Sequence, residues 1–228
     1  MNAESVRDGG AFSLPQIQLD LDGTAARHTL HAEASLARSA QALGDFNLAA
    51  SGGWARTDIS WRWQGALDAL AARGVLPVQL QAPAALVVAP EEITLGAARF
   101  ALAGGRINLH ETRWTPQDWH SAGSLGNIGV RIAEAGVTPE MMHALDTLRF
   151  GGDWDISGGT DWRGTLGLRR ESGDWVVNAA NGQHLGLRDV RLDVQAAAQQ
   201  LDVQLQASGD LLGDIGLQLV LPDRKSVV

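Results

Sequence analysis

The 228-residue sequence contains no cysteine and no tyrosine. Without cysteine, neither a disulfide nor a thiolate metal site can form. The net charge of −8 argues against nucleic acid as a partner, because binding to phosphate backbones requires clustered lysine and arginine. Composition therefore excludes several common function classes before any motif is considered.

The chain also lacks a long hydrophobic run. Its most apolar stretch, residues 74–90, contains Pro77, Pro83 and Pro90, so it cannot form a helix of the roughly 20 residues that cross a bilayer. Residues 1–10 are polar and lack the apolar core of a signal peptide. If the protein acts in a bacterial envelope, we expect its export signal outside this chain. Residues 223–228 have no pattern and match a translated sequencing adapter, so we expect a non-native tail there.

Short stretches that alternate apolar and polar residues fill the remaining sequence. A period of two predicts β-strands with one apolar face and one polar face. Glycine and asparagine pairs every 8 to 12 residues or so predict tight turns, and we expect about fifteen antiparallel strands in an all-β fold. The residues predicted to form one apolar face are Ile17, Leu19, Leu21, Ile59, Trp61, Trp63, Phe100, Leu102, Ile107, Leu109, Val190, Leu192, Val194, Leu201, Val203, Leu205, Ile215, Leu217 and Leu219.

Two segments depart from this pattern and are predicted to be short helices. Residues 66–73 are rich in alanine and leucine, and Gly74 would end that helix. Residues 138–148 begin with Thr138 as an N-cap and Pro139 in the first turn. We therefore divide the chain into a β segment at 11–149 that includes both helices, a continuing β segment at 150–222, and the tail.

The sequence contains no motif that is typical of a catalytic, metal-binding or phosphate-binding site. The glycine- and aspartate-rich residues 151–161 lack the ligand spacing of a calcium loop, and we interpret them as a strand with outward Asp153 and Asp155. The glycine-rich residues 123–129 fit no phosphate-binding motif and are predicted to be a plain loop. His28 and His31 should point to opposite sides of a strand. We expect no catalytic residue, no metal site and no cofactor, and hence no enzyme.

Eight tryptophans are present, and most lie at the ends of predicted strands. Packing in the core or along a rim is the default role of such residues. A platform that stacks against sugars is the alternative.

Several short phrases resemble the TamB family of AsmA-like envelope proteins. The similarity is spread over residues 14–221 and consists of short phrases with similar residue spacing. The phrases are Trp63-x-Gly65-x-Leu67, Pro77-Val78-x-Leu80-x-Ala82-Pro83-Ala84-x-Leu86, Gly104-Gly105-x-Ile107-x-Leu109, and Trp162-Arg163-Gly164-Thr165-Leu166-x-Leu168.

The resemblance implies a β-taco, which is an extended half-pipe of antiparallel strands with an apolar trough for phospholipid acyl chains. It implies a periplasmic location, with the parent protein anchored in the inner membrane of a Gram-negative bacterium. Family roles are phospholipid transport between the inner and outer membranes and outer-membrane protein assembly, a form of protein secretion. A TamA-like outer-membrane barrel would be the partner of parts of the parent not seen here, and this chain corresponds best to the central repeat region.

Two other interpretations remain open from the residues alone. One is a structural or adhesive β-solenoid whose core is filled by its own side chains. The other is a glycan-binding β-sandwich that uses the tryptophans. An interior with room favours a lipid trough, and small residues such as Ala32, Ala34, Ala196 and Ala207 point in that direction.

Overall fold

The computed structural model describes residues 13–38, 41–56, 60–74, 77–102, 104–129, 148–178, 183–197 and 200–222. These residues form seventeen β-strands, and none of them is helical. The strands are β1 (Ser13–Thr24), β2 (Arg27–Arg38), β3 (Gln41–Arg56), β4 (Trp61–Gly74), β5 (Val78–Leu80), β6 (Ala84–Ala89), β7 (Glu92–Leu95), β8 (Ala98–Leu102), β9 (Gly105–Trp114), β10 (Trp119–Gly129), β11 (Arg149–Gly158), β12 (Arg163–Ser172), β13 (Val176–Asn178), β14 (Gln183–His184), β15 (Leu187–Ala197), β16 (Gln200–Gly209) and β17 (Gly213–Pro222). The expectation of an all-β antiparallel fold is confirmed.

The strands belong to two compact units. Unit 1 comprises Met1–Leu102 and Arg113–Pro116, and unit 2 comprises Ala103–Thr112 and Gln117–Val228. In unit 1, β1 to β4 pair in sequence, β4 then pairs with both β5 and β6, β5 pairs with β8, and β6 pairs with β7. In unit 2 the order is β10-β11-β12-β15-β16-β17, with β13 and β14 as a separate small hairpin. The segment boundary predicted between residues 149 and 150 falls within β11.

The prediction of a helix over residues 66–73 is wrong, because this stretch is the second half of β4. In the ladder between β3 and β4, Ala50 pairs with Leu67 while Ala49 pairs with Ala69. Asp68 is therefore the extra residue of a β-bulge. The bulge brings Leu67 and Leu70 to one face although they are three residues apart, and this spacing imitates a helical period. The other predicted helix, 138–148, lies outside the described residues except for the buried Leu148.

A second correction concerns residues 123–129, which were predicted to be a loop. They belong to β10, where Gly123 pairs with Trp154 and Leu125 pairs with Gly152 of β11. Glycine is common in loops, yet here it faces larger residues on the neighbouring strand. The prediction of a strand with outward Asp153 and Asp155 is confirmed, since both residues lie exposed in β11.

Burial is sparse in both units. Among the described residues, no large side chain is completely buried. The buried hydrophobic side chains of unit 1 lie mainly on or beside β4, whereas Leu148 and Leu187 form a small cluster in unit 2. The buried hydrophobic residues are Ala50, Trp63, Leu67, Leu80, Ala84, Ala98, Leu148 and Leu187. Each unit is thus organised around the face of a sheet.

The carboxylate of Asp174 fixes the segment that leads into β15. Its Oδ1 accepts hydrogen bonds from the backbone N–H groups of Trp175 (2.8 Å) and Leu187 (3.0 Å), and its Oδ2 accepts one from Gly186 (3.0 Å). Burial raises the pKa of Asp174, but these three N–H donors, with a smaller contribution from His184, outweigh burial and leave the pKa below its ordinary value.

We expect Asp174→Asn to lower the free energy of unfolding at pH 7 by about 1–2 kcal/mol, because an amide accepts weaker hydrogen bonds than a carboxylate. A lowered folded-state pKa stabilises the protein above the unfolded-state pKa of about 3.9, and this contribution is lost as the pH falls further. Urea unfolding at pH 7 and pH 3 measures both effects. Asp214→Asn, on an exposed carboxylate, is the control, and equal unfolding of both variants at pH 7 contradicts the assignment.

Candidate functional site

The sheet of unit 1 carries one continuous apolar face. Directly paired residues lie on the same side of a sheet, so the register defines rows of side chains across β1 to β4. In one row, Leu19 pairs with Ala32, Ala32 pairs with Leu48, and Leu48 pairs with Leu70. We call the following residues the first face: Ile17, Leu19, Leu21, Leu30, Ala32, Ala34, Phe46, Leu48, Ala50, Leu67, Leu70 and Ala72.

Unit 2 repeats this arrangement on β11 to β17. Leu168 of β12 pairs with Leu192, Leu192 pairs with Leu205, and Leu205 pairs with Leu217. A neighbouring row is equally apolar from β11 to β17. The second face consists of Trp154, Leu166, Leu168, Val190, Leu192, Val194, Leu201, Val203, Leu205, Ala207, Ile215, Leu217, Leu219 and Leu221.

Both faces are open to solvent in part. Leu19 and Leu21 on β1 are 64% and 68% exposed, and Leu217 on β17 is 55% exposed. Leu192 and Val203, which lie on inner strands, are half-buried by their row neighbours. Side chains in a closed two-layer core would be far more deeply buried. Within the part of the chain that the structure describes, these faces therefore behave as surfaces.

The reverse side of the second face is polar. A single row there runs from Asp153 through Gly167, Asp193 and Gln204 to Gln218. Period two thus separates the two sides completely along this row. On the same polar side, the hydrogen bond to Asp193 raises the pKa of the Arg191 guanidinium.

The structure brings most of the sequence-predicted face residues together. Trp61 and Trp63 lie on β4 on the same side as the first face, and Phe100 and Leu102 join that side through pairings with β5. Ile107 and Leu109 are half-buried on β9, and Ile59 lies outside the described residues. The predicted residues that belong to the first face are Ile17, Leu19 and Leu21 on β1, and those that belong to the second face are Val190, Leu192, Val194, Leu201, Val203, Leu205, Ile215, Leu217 and Leu219.

Sequence reasoning missed several members of these faces. Leu67 and Leu70 were hidden by the bulge at Asp68, which mimics a helical spacing. Leu166 and Leu168 alternate with glycine and arginine, and their period of two was a usable signal.

A tryptophan covers two glycines next to the first face. A Cβ placed on Gly52 would lie 2.5 Å from Cζ2 of Trp63, and one placed on Gly65 would lie 2.7 Å from Cη2 of the same ring. The indole N–H of Trp63 donates to Nε2 of His28 at 2.8 Å. Because Nε2 accepts, Nδ1 of His28 carries the proton and donates to the carbonyl oxygen of Thr24 at 3.0 Å. Trp63 and His28 are both buried, and His31 is exposed. His28 pairs with Gly52 and His31 pairs with Ala49, so the two histidines lie on opposite sides of β2, as their spacing predicts.

A tryptophan ring also covers a glycine in unit 2. A Cβ on Gly123 would overlap Cζ2 of Trp154, so this ring rests on the glycine of the neighbouring strand. The indole N–H of Trp154 is 3.1 Å from Oγ of Ser121, which accepts its hydrogen bond. In both units an indole fills the space that glycine leaves, and its polar atom has a partner.

Pairs of partly exposed tryptophans lie at the ends of strands. In unit 1 the rings of Trp54 and Trp61 are 4.8 Å apart at an interplanar angle of 70°. In unit 2 the rings of Trp119 and Trp162 are 5.4 Å apart at 86°. Such edge-to-face contacts favour a rim over a flat platform for stacking against sugars.

Neither a metal site nor a membrane-spanning helix is found among the described residues. Among the residues that the structure describes, no group of three histidine, aspartate or glutamate side chains is placed to hold a metal ion. No described helix is long and apolar enough to span a bilayer. Comparisons with protein-family models, with curated proteins and with solved structures found no match to the chain.

We expect Gly52→Ala to destabilise unit 1 by about 1–3 kcal/mol, because the new methyl group would overlap both the Trp63 ring and the carbonyl oxygen of Gln64. Chemical denaturation followed by tryptophan fluorescence measures this loss. Gly216→Ala is the matched control, since a Cβ there meets open space. Equal unfolding midpoints for the two variants would show that the ring does not rest on Gly52.

Proposed function

We propose that the chain is a segment of a TamB-like envelope protein and that its two apolar faces hold phospholipid acyl chains. The observation that carries this proposal is that each unit has an apolar sheet face whose side chains are half-buried or exposed on most strands, with Ala50 and Leu67 as the buried exceptions, and that the reverse side of the second face is polar. The phrases shared with the TamB family support the same assignment. In this proposal the strands form the β-taco implied by that resemblance.

The energetics of acyl-chain binding fit such a face. Removing a methylene group from water contributes about 0.8 kcal/mol, so a chain of a dozen or more methylenes gains substantially even from partial cover. This gain requires no hydrogen bond and no charged group. A continuous row such as Leu168, Leu192, Leu205 and Leu217 therefore suffices to hold a lipid chain without a sequence motif.

The proposed biological role follows the resemblance. The protein would act in the periplasm, with its parent anchored in the inner membrane, and would pass phospholipid between the two membranes and support outer-membrane protein assembly. Contact with a TamA-like barrel would be made by other parts of the parent. No catalytic step is needed, because the lipid moves without chemical change.

A structural solenoid with a filled core is the rival function. It requires the face residues to be packed by other side chains of the protein. Leu19, Leu21 and Leu217 are each more than half exposed, which favours the lipid-binding role. The two experiments that follow separate these functions.

Photo-crosslinking residues placed at Leu192 or Val203 should capture phospholipid, whereas the same residues at Asp193 or Gln204 should capture little. The physical reason is that consecutive positions on β15 and β16 point to opposite sides of the sheet. Irradiation with phospholipid vesicles, followed by mass spectrometry of the adducts, gives the yields. Equal labelling on the two sides refutes an acyl-chain face.

A charge on the second face should block lipid binding without unfolding the protein. For Leu205→Arg we expect at least about a fivefold loss of bound phospholipid, because a desolvated, unpaired charge costs several kcal/mol under an acyl chain. The unfolding free energy should change by less than about 2 kcal/mol, since arginine on a half-buried site can still reach water. Gln204→Arg on the polar side is the control. If Leu205→Arg fails to fold while the control folds, the face is a packed core and the solenoid function is correct.

A further inference from the structure

At the end of β3 and the start of β4, the side chains on the side of the first face change from apolar to aromatic and then to charged. Arg56 pairs with Trp61, Trp54 pairs with Trp63, and the next pair towards the apolar rows is formed by two glycines. Residues two apart on a strand share a side, so Arg56, Trp54, Trp61 and Trp63 all lie on the side of the first face. The order along the strands is therefore guanidinium, indoles, then aliphatic side chains.

The aromatic part of this end is held in place. The backbone N–H of Trp54 donates to the carbonyl oxygen of Ala25 at 2.8 Å, which ties β3 to the turn between β1 and β2. The ring of Trp54 stacks on His28 at 6.3 Å and meets the edge of Trp61 at 4.8 Å. Trp54 and Trp61 remain 46% and 42% exposed. The indoles are thus fixed by contacts on one side and open to a ligand on the other.

The guanidinium group at this end has no acidic partner in the described part of unit 1. Ion pairs are present elsewhere, such as Arg188 with Asp210 and Arg191 with Asp193, but none joins Arg56 to a described carboxylate. Arg56 is exposed. In a chain with a net charge of −8, an exposed arginine beside an apolar face is a local site for an anion.

We propose that Arg56, Trp54 and Trp61, which we call the headgroup rim, bind the phosphate of a phospholipid whose acyl chains lie on the first face. This inference rests on the proposed function and adds the orientation of the lipid. Arginine matches phosphate with two parallel hydrogen bonds, and tryptophan favours the boundary between apolar and aqueous surroundings.

The dimensions of the face agree with this orientation. From Gly52 to Phe46 the apolar rows extend over six residue-to-residue steps of β3, which is about 20 Å at ~3.3 Å per step. One leaflet contributes about 15 Å to the ~30 Å hydrocarbon thickness of a bilayer. An acyl chain that starts at the headgroup rim therefore fits along the strands.

The test compares two lipids with the same acyl chains, dioleoylphosphatidylglycerol and dioleoylglycerol, in binding to the whole chain. Displacement of a fluorescent fatty acid gives both affinities. The wild-type protein should prefer the phospholipid by about fivefold, as expected for one charge-assisted contact near solvent. Arg56→Gln should abolish this preference while leaving dioleoylglycerol binding and the urea midpoint unchanged.

Arg73→Gln is the matched control, because Arg73 lies at the far end of β4, where it pairs with Asp45 on the polar side. It should keep the wild-type preference. If Arg56→Gln still prefers the phospholipid as the wild type does, the headgroup rim is refuted while acyl-chain binding stands. If the wild type binds neither lipid, the proposed function itself fails. Equal binding of glycerol 3-phosphate and the phospholipid would also overturn the inference, since it would uncouple the anion site from the face.

Discussion

Each sheet must stabilise its apolar face mainly by contacts along its own rows. Cross-strand neighbours such as Leu192 and Leu205 shield one another, and both are half-buried. An edge strand has a neighbour on one side alone, which explains why Leu19 on β1 and Leu217 on β17 are the more exposed. The apolar area still in contact with water is then free energy that a ligand can gain by covering it. Sparse burial and the proposed lipid binding are two consequences of one architecture.

Glycine leaves a gap in such a row, because it contributes no side chain to shield its neighbours. In each unit a tryptophan ring fills a gap of this kind. Trp63 lies over Gly52 and Gly65 in unit 1, and Trp154 lies over Gly123 in unit 2. Each indole N–H has an acceptor, His28 or Ser121, so the ring is held without an unsatisfied polar atom. These hydrogen bonds fix the tryptophans more firmly than apolar contact alone.

Local alternation was sufficient to predict the all-β fold and most of the second face, because Val190, Leu192 and Val194 carry a clear period of two. It failed at residues 66–73, where one inserted residue, Asp68, shifts the period and imitates a helix. It failed again at residues 123–129, where Gly123 pairs with Trp154 and Leu125 pairs with Gly152 in a strand. The contact between His28 and Trp63 joins residues 35 positions apart, so no local pattern could have indicated it.

If the proposed role is correct, selectivity between lipids has to come from the ends of the strands. The rows of the first face are apolar, and apolar contact distinguishes poorly between lipids that share the same chains. At the end where Arg56 pairs with Trp61, the surface changes from aliphatic to aromatic and then to cationic within a few residues. The bulge at Asp68 lies on the same strand and keeps Leu67 and Leu70 on the side of Trp61 and Trp63. If Asp68 were paired in the ladder instead of bulged, the register beyond it would shift by one residue and Leu70 would turn to the reverse side, so the first face would not continue past Leu67.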